Sequence, residues 1–153
     1  MAASADDVTI SEVGPDELPN IVGLFNQIFR PQRTLEAIQR RLAGRQHVLQ
    51  LLAKDGDTPV GFFLGLEHKP DTFFAWFYGV LPDARRTGLG SLLMEAADAW
   101  AKEKGYQTMR IECYNTQRPM LHLAIELGYD IVGIRWDPSR TANLVIFEKK
   151  LNG

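Results

Sequence analysis

Cysteine is nearly absent from this chain: Cys113 is the only one. A single thiol cannot close an internal disulfide and cannot build a cysteine zinc site, so the sequence points to a fold held by its core in a reducing compartment. Histidine is almost as scarce, with His47, His68 and His122 scattered and lacking metal-ligand spacing. His122 and Glu126 stand four apart on the polar side of a helical pattern, which suits an exposed surface pair. Excess charge is missing too. The 17 basic and 19 acidic residues leave a net charge of −2, so nothing global points to nucleic acid or an anionic membrane. No apolar run is long enough to span a bilayer, and "MAASADDVT" lacks the basic and apolar regions of a signal peptide. The expectation is a cytoplasmic protein with neither a membrane nor a nucleic-acid partner.

What is present is an ordinary globular composition, 45% hydrophobic in 153 residues, enough to bury a sizeable core. "VTISEV" reads as a strand. "GPDEL" opens a helix with Pro15 early and acids in the first turn, carrying Leu18, Ile21, Val22, Phe25 and Phe29 at helical spacing until Pro31 stops it. Thr34 is a good N-cap for a second helix ending at Gly44. "HVLQLLA", "PVGFFLGLEH" and "TFFAWFYGV" are three strands joined by turn signals, an antiparallel meander. Leu89, Leu92, Leu93, Ala96 and Trp100 mark a helix closed by Gly105. "YQTMRIECY" is a strand, and Pro119 to Gly128 frames a last helix. "YDIVGIRW" and "NLVIFEKKL" form a terminal hairpin. The order is β-α-α-β-β-β-α-β-α-β-β, a mixed α+β domain.

The stretch "GVLPDARRTGLGSLL" stands out. It places two arginines and two glycines between a strand and a helix. A helix starting near Leu89 leaves its first N–H groups unbonded and its positive dipole end exposed, and Gly88 and Gly90 let the backbone approach a ligand. Such a loop suits a phosphate or diphosphate. A Walker loop would need a lysine before Ser91, and a dinucleotide fingerprint would need three spaced glycines in the first βα unit; both are missing.

Arg85-x-x-Gly88-x-Gly90, following "GVLPDARR", resembles the diphosphate loop of the GCN5-related N-acetyltransferases, whose motif is Q/R-x-x-G-x-G/A. The resemblance runs from Val8 to about Leu151 and covers the order of the elements. It implies a single N-acetyltransferase domain over residues 8–151, with a central mixed, mostly antiparallel sheet flanked by helices, and acetyl-coenzyme A (acetyl-CoA) as co-substrate. It implies that the strand before the loop and the strand "TMRIECY" splay apart, with the cofactor arm between them. Gly79 and Val80 would offer that strand edge, and the Val80 N–H would face the thioester carbonyl. The backbone from Arg86 through Thr87, Gly88, Leu89 and Gly90 to Ser91 would hold the diphosphate. Arg85 takes the motif's leading position, Arg86 is a candidate for the adenosine phosphate, and Gln117 falls where the family asparagine belongs.

Glu112, in "I-E-C", matches a family glutamate that takes or relays the amine's proton. The alternative is a strand carboxylate that only pairs with Arg110. Where the family tyrosine protonates the leaving thiolate, counting back from Gly128 reaches Ala124, which has no proton to give; Tyr114 or a water are substitutes. Cys113 alternates with Glu112 and should pack inward. Glu67, Trp76 and Tyr114 are candidates for the acceptor cleft, and Glu67, Asp71, Glu112 and Asp137 for an acidic mouth around a cationic amine. The implied acceptor is a primary amine of a small molecule, a lysine or a peptide N-terminus, and the resemblance allows a homodimer. Two other readings stand beside this one: a coenzyme A-binding sensor that has lost transfer activity, and a generic nucleotide-phosphate binder.

Overall fold

In the computed structural model, which describes residues 7–85 and 87–151, the strand-forming runs pair into one sheet. Its strands are β1 (Val8–Glu12), β2 (Val48–Asp55), β3 (Thr58–Lys69), β4 (Thr72–Val80), β5 (Thr108–Tyr114), β6 (Asp130–Asp137) and β7 (Ala142–Lys150). Their spatial order is β1-β2-β3-β4-β5-β7-β6. Only β4 and β5 run parallel; the other neighbours are antiparallel. Four α-helices lie among the described residues: α1 (Leu18–Ile28), α2 (Leu35–Leu42), α3 (Leu89–Glu103) and α4 (Arg118–Glu126). The mixed, mostly antiparallel sheet and the order of elements agree with expectation. One boundary moves. Pro15–Glu17 forms a 3-10 turn and the α-helix starts at Leu18.

Local sequence explains the helix ends. The Thr34 hydroxyl accepts from the Ala37 N–H at 3.1 Å, a cap worth ~1 kcal/mol. Gly44, Gly105 and Gly128 follow α2, α3 and α4 in the left-handed region, where a side chain would be strained.

The middle strands are apolar without alternation because helices cover both faces. Phe62 and Leu64 point to the α1–α2 side and pack with Leu18, Ile21, Phe25 and Ile38. Phe63, Phe73 and Ala75 point the other way, under Leu93, Met94 and Ala97 of α3. On β5 the same layering puts Met109, Ile111 and Cys113 inward, as expected for Cys113. Arg110, Glu112 and Tyr114 therefore share the opposite face.

Two irregularities in β4 position the site. Leu64 lies opposite Phe77 but Gly65 opposite Ala75, so Trp76 is an extra residue, a bulge. Gly65 is needed there: a Cβ would lie 2.6 Å from the Phe73 ring and 2.7 Å from the Phe63 ring. β4 pairs with β5 only from Thr72–Ala75 against Thr108–Ile111. Past the bulge the two strands have no ladder between them. Bulges bend a strand and increase its twist, which accounts for the separation.

Candidate active site

The opening between the C-terminal halves of β4 and β5 leads directly into the glycine loop. Leu81 donates its N–H to the Val60 carbonyl at 2.9 Å, toward β3. Main-chain groups alternate sides along an antiparallel strand, so Val80 and Tyr78 direct theirs toward β5 and the opening. On that side, Arg85 Nε donates to the Val80 carbonyl at 3.2 Å. This draws the guanidinium back over the strand end. Gly79, between them, lies opposite Phe62 of β3.

The loop holds itself without using the start of α3. Pro82–Ala84 is a 3-10 turn. The Arg85 N–H donates to the Pro82 carbonyl at 3.2 Å, and the Thr87 hydroxyl donates to the Ala84 carbonyl at 2.7 Å. Gly88 is the N-cap of α3, at φ 80°, and no side chain caps the helix. The Leu92 N–H reaches the Gly88 carbonyl at 3.1 Å; the N–H groups of Leu89, Gly90 and Ser91 precede it in the helix's unbonded first turn. Among the described residues nothing lies within 4 Å of where a Gly88 Cβ would stand. The Leu89 side chain is buried and anchors the turn from below. Arg86 lies outside the described residues.

Glu112 stands on the open face of β5. Its Oε2 accepts from Arg110 Nε at 2.9 Å, and Arg110 Nη1 donates to Glu148 on β7 at 3.1 Å. The carboxylate is thus ion-paired with Arg110, the second of the two expected alternatives, and it is partly exposed. Tyr114 donates its hydroxyl to Asp137 Oδ2 at 2.7 Å. That bond, foremost, raises the phenol's pKa and holds the Asp137 carboxyl below its ordinary value. Gln117 Oε1 accepts from the Tyr114 N–H at 2.8 Å, fastening the end of β5 to the start of α4. Trp76 stacks on Phe77 with ring centroids 4.4 Å apart, on the α1–α2 side.

The four acids do not converge. Glu67 pairs in register with Phe73, at the start of β4, roughly 20 Å along the strand from Val80 at ~3.3 Å per residue. It accepts there from the Tyr106 hydroxyl at 2.8 Å. Asp71, in the adjoining turn, accepts from Thr72. Arginines take their place near the opening. A cleft of about 340 Å³ beside the end of β5 is lined by Arg30, Tyr114, Thr116, Gln117, Arg140 and Ala142. Neither Arg30 nor Arg140 had any signal in the sequence, since they come from distant segments. Tyr78 was also missed as a chemical group. Its hydroxyl is buried without a hydrogen-bond partner, and burial, then Cys113, pushes its pKa well above the ordinary phenol range.

A seven-stranded mixed sheet, opened between two parallel strands above a helix that starts at a glycine, is the architecture of the acetyltransferase structures on which the chain superimposes. A model of the acetyltransferase (GNAT) family matches residues 18–129, and the chain belongs to that family. No curated protein sequence matched. Among solved structures, the ribosomal-protein-S18-alanine N-acetyltransferase from Escherichia coli superimposes with a TM-score of 0.83 at 18% identity, covering 94% of each chain. Ard1 from Thermoplasma volcanium gives 0.82 at 18% identity, over 94% of this chain and 97% of that one. A GNAT family acetyltransferase from Elizabethkingia anophelis, with acetyl-CoA bound, gives 0.75 at 19% identity, over 95% and 99%. No described helix is long and apolar enough to cross a membrane.

Proposed function

We propose that the chain is an N-acetyltransferase that moves the acetyl group of acetyl-CoA directly to a primary amine in a ternary complex. The observation that carries this is the continuity between the unpaired edge of β4 and the uncapped start of α3. Together they offer the Tyr78 main-chain groups and the Val80 N–H, the Val80 carbonyl being taken by Arg85, followed by a cluster of N–H donors. The first suits an amide-bearing arm and the second a diphosphate.

When bound, acetyl-CoA supplies an activated thioester. The residues fit that group in two places. Tyr78 and Val80 would present backbone to the arm, and the Val80 N–H would serve as donor to the thioester oxygen, where negative charge gathers. The first turn of α3, from Gly88 to Ser91, with Thr87 and Arg85 beside it, would hold the diphosphate. Glu112 takes a proton from the incoming ammonium, directly or through water; an aliphatic amine titrates near ~10 and must shed a proton before it can attack. Arg110 keeps that carboxylate in place. Protonation of the departing thiolate is not assigned to position 124, because Ala124 is fully buried and carries no donor.

That same alanine favours the alternative, a coenzyme A-binding sensor without turnover. Calorimetry of the chain with coenzyme A, ATP and NAD, followed by a thiol-release assay against an amine panel, tests both. Binding of coenzyme A alone, with turnover of at least one amine, is the expected result. A preference for ATP or NAD overturns the proposal, and tight coenzyme A binding with no turnover on any amine supports the sensor.

A further inference from the structure

The cleft beside β5 is built for an anion, and its geometry points to an acceptor that carries a carboxylate next to the amine it presents. This rests on the acetyltransferase reading and names the substrate class of that site.

The floor of the cleft is the end of β5 at Tyr114; Glu112 lies two residues back on the same face of that strand. One wall is Arg30, just beyond α1; the other is Arg140, in the turn between β6 and β7. Arg30 spends Nη1 on the carbonyls of Asn26 and Phe29, at 2.6 and 2.8 Å. Its remaining N–H groups are left for a ligand. Arg140 lays its guanidinium over the Tyr114 ring, 4.9 Å from the centroid. Stacking occupies the flat face and leaves the N–H groups at the edge to donate, and that planar fork matches a carboxylate.

Neither guanidinium has a carboxylate within 4 Å among the described residues; the ion pairs found there use Arg110 and Lys149. Asp137, the acid nearest this wall, is already taken up by the Tyr114 hydroxyl and the Ser139 N–H. Two further guanidinium groups sit on the aromatic rings of the same sheet face: Arg33 lies 5.0 Å from Phe77, and Arg41 lies 5.6 Å from Trp76. The lining itself carries two guanidinium groups and no carboxylate, the reverse of a mouth for a simple cationic amine. A free amine without an anion would be repelled by this rim, whereas a carboxylate compensates it. The volume, about 340 Å³, is at the small end for ligand sites and has room for an amino acid or the first residues of a peptide.

The test compares free amino acids with their carboxamides as acceptors in the thiol-release assay. Tetrapeptides beginning with aspartate or glutamate, against alanine controls, make up a second arm. Amidation lowers the amine's pKa and raises its free-base fraction, so a preference for the acid would run against amine reactivity. The expected result is kcat/KM at least tenfold higher for the acid of a pair, in one arm or the other; the arm that responds says whether a free amino acid or a peptide supplies the carboxylate. Arg140→Gln should raise KM for the carboxylate acceptor about tenfold, leave the carboxamide's KM unchanged and leave acetyl-CoA binding by calorimetry unchanged. Arg140→Lys should recover part of the loss. Equal use of the acid and its neutral counterpart in both arms, turnover of neutral amines only, or an equal effect of Arg140→Gln on both overturns the carboxylate assignment while leaving the acetyltransferase in place. Failure to bind acetyl-CoA at all overturns both.

Discussion

Arg110 and Glu112, two residues apart on one face of β5, are joined by a 2.9 Å hydrogen bond from Nε to Oε2. Only Oε2 of that carboxylate is engaged, among the described residues, which leaves the other oxygen for an incoming amine. Glu112→Gln keeps an oxygen for Arg110 and removes the basic site. The expected outcome is a fall in kcat of about 100-fold, typical for loss of a positioned base, with a smaller change in the acetyl-CoA KM. Steady-state kinetics decide it; unchanged kcat would leave Glu112 as a strand ion pair.

The glycine loop separates into two experiments. Gly88 is at φ 80°, so Gly88→Val combines strain of about 1–2 kcal/mol with bulk at the approach. Gly90 differs: its added Cβ would make an ordinary 3.4 Å contact with Leu123. Gly90→Ala should therefore fold with an unchanged Tm and still raise the acetyl-CoA KM. A normal KM in that variant would remove the backbone-approach argument.

Tyr78 carries a buried hydroxyl with no hydrogen-bond partner among the described residues. Deleting it removes an unsatisfied polar group at a cost in packing close to zero. Tyr78→Phe should gain about 1 kcal/mol, seen as a Tm rise of about 2–4 °C for a domain of this size. A lower Tm would mean that the hydroxyl is satisfied in solution.

Cys113 is 2% exposed, and burial pushes its thiol up to about 11. At pH 8 the thiolate fraction is then about a thousandth, and only the thiolate reacts. Ellman's reagent should leave the native chain almost unlabelled and titrate one thiol after unfolding in guanidinium. Rapid native labelling would contradict the buried placement.

Asp137 is held below its ordinary carboxyl value, first by the Tyr114 hydroxyl. A depressed folded-state pKa gives stability that is present above the unfolded value, about 3.9, and is lost as pH falls through the folded one. Tyr114→Phe should flatten the acid limb of the stability curve below about pH 4 and leave its shape near pH 7 unchanged. Parallel acid limbs in wild type and variant would argue against the coupling.

Local chemistry made the elements legible. Thr34 named its own helix start, and "TFFAWFYGV" its own strand, because caps and β-rich runs act over a few residues. The loop was legible for the same reason, since Arg85, Gly88 and Gly90 lie within six positions. The cleft beside the end of β5 was not. Glu67 and Glu112 look equivalent as strand carboxylates, but one sits at the start of β4 and the other beside its opened end. The bulge at Trp76, which opens β4 from β5, depends on how β3 registers against it, and no local pattern records that register.

The sequence by itself determined the order of strands and helices, the inward packing of Cys113 and the glycine-opened start of α3, because periodicity and backbone freedom are properties of neighbouring residues. Only the tertiary structure decided that β4 and β5 part after Ala75, that Arg110 holds Glu112, and that Arg30 and Arg140 face one cleft. Those outcomes come from pairing register and packing between segments far apart in the chain, where charge and shape meet only after folding.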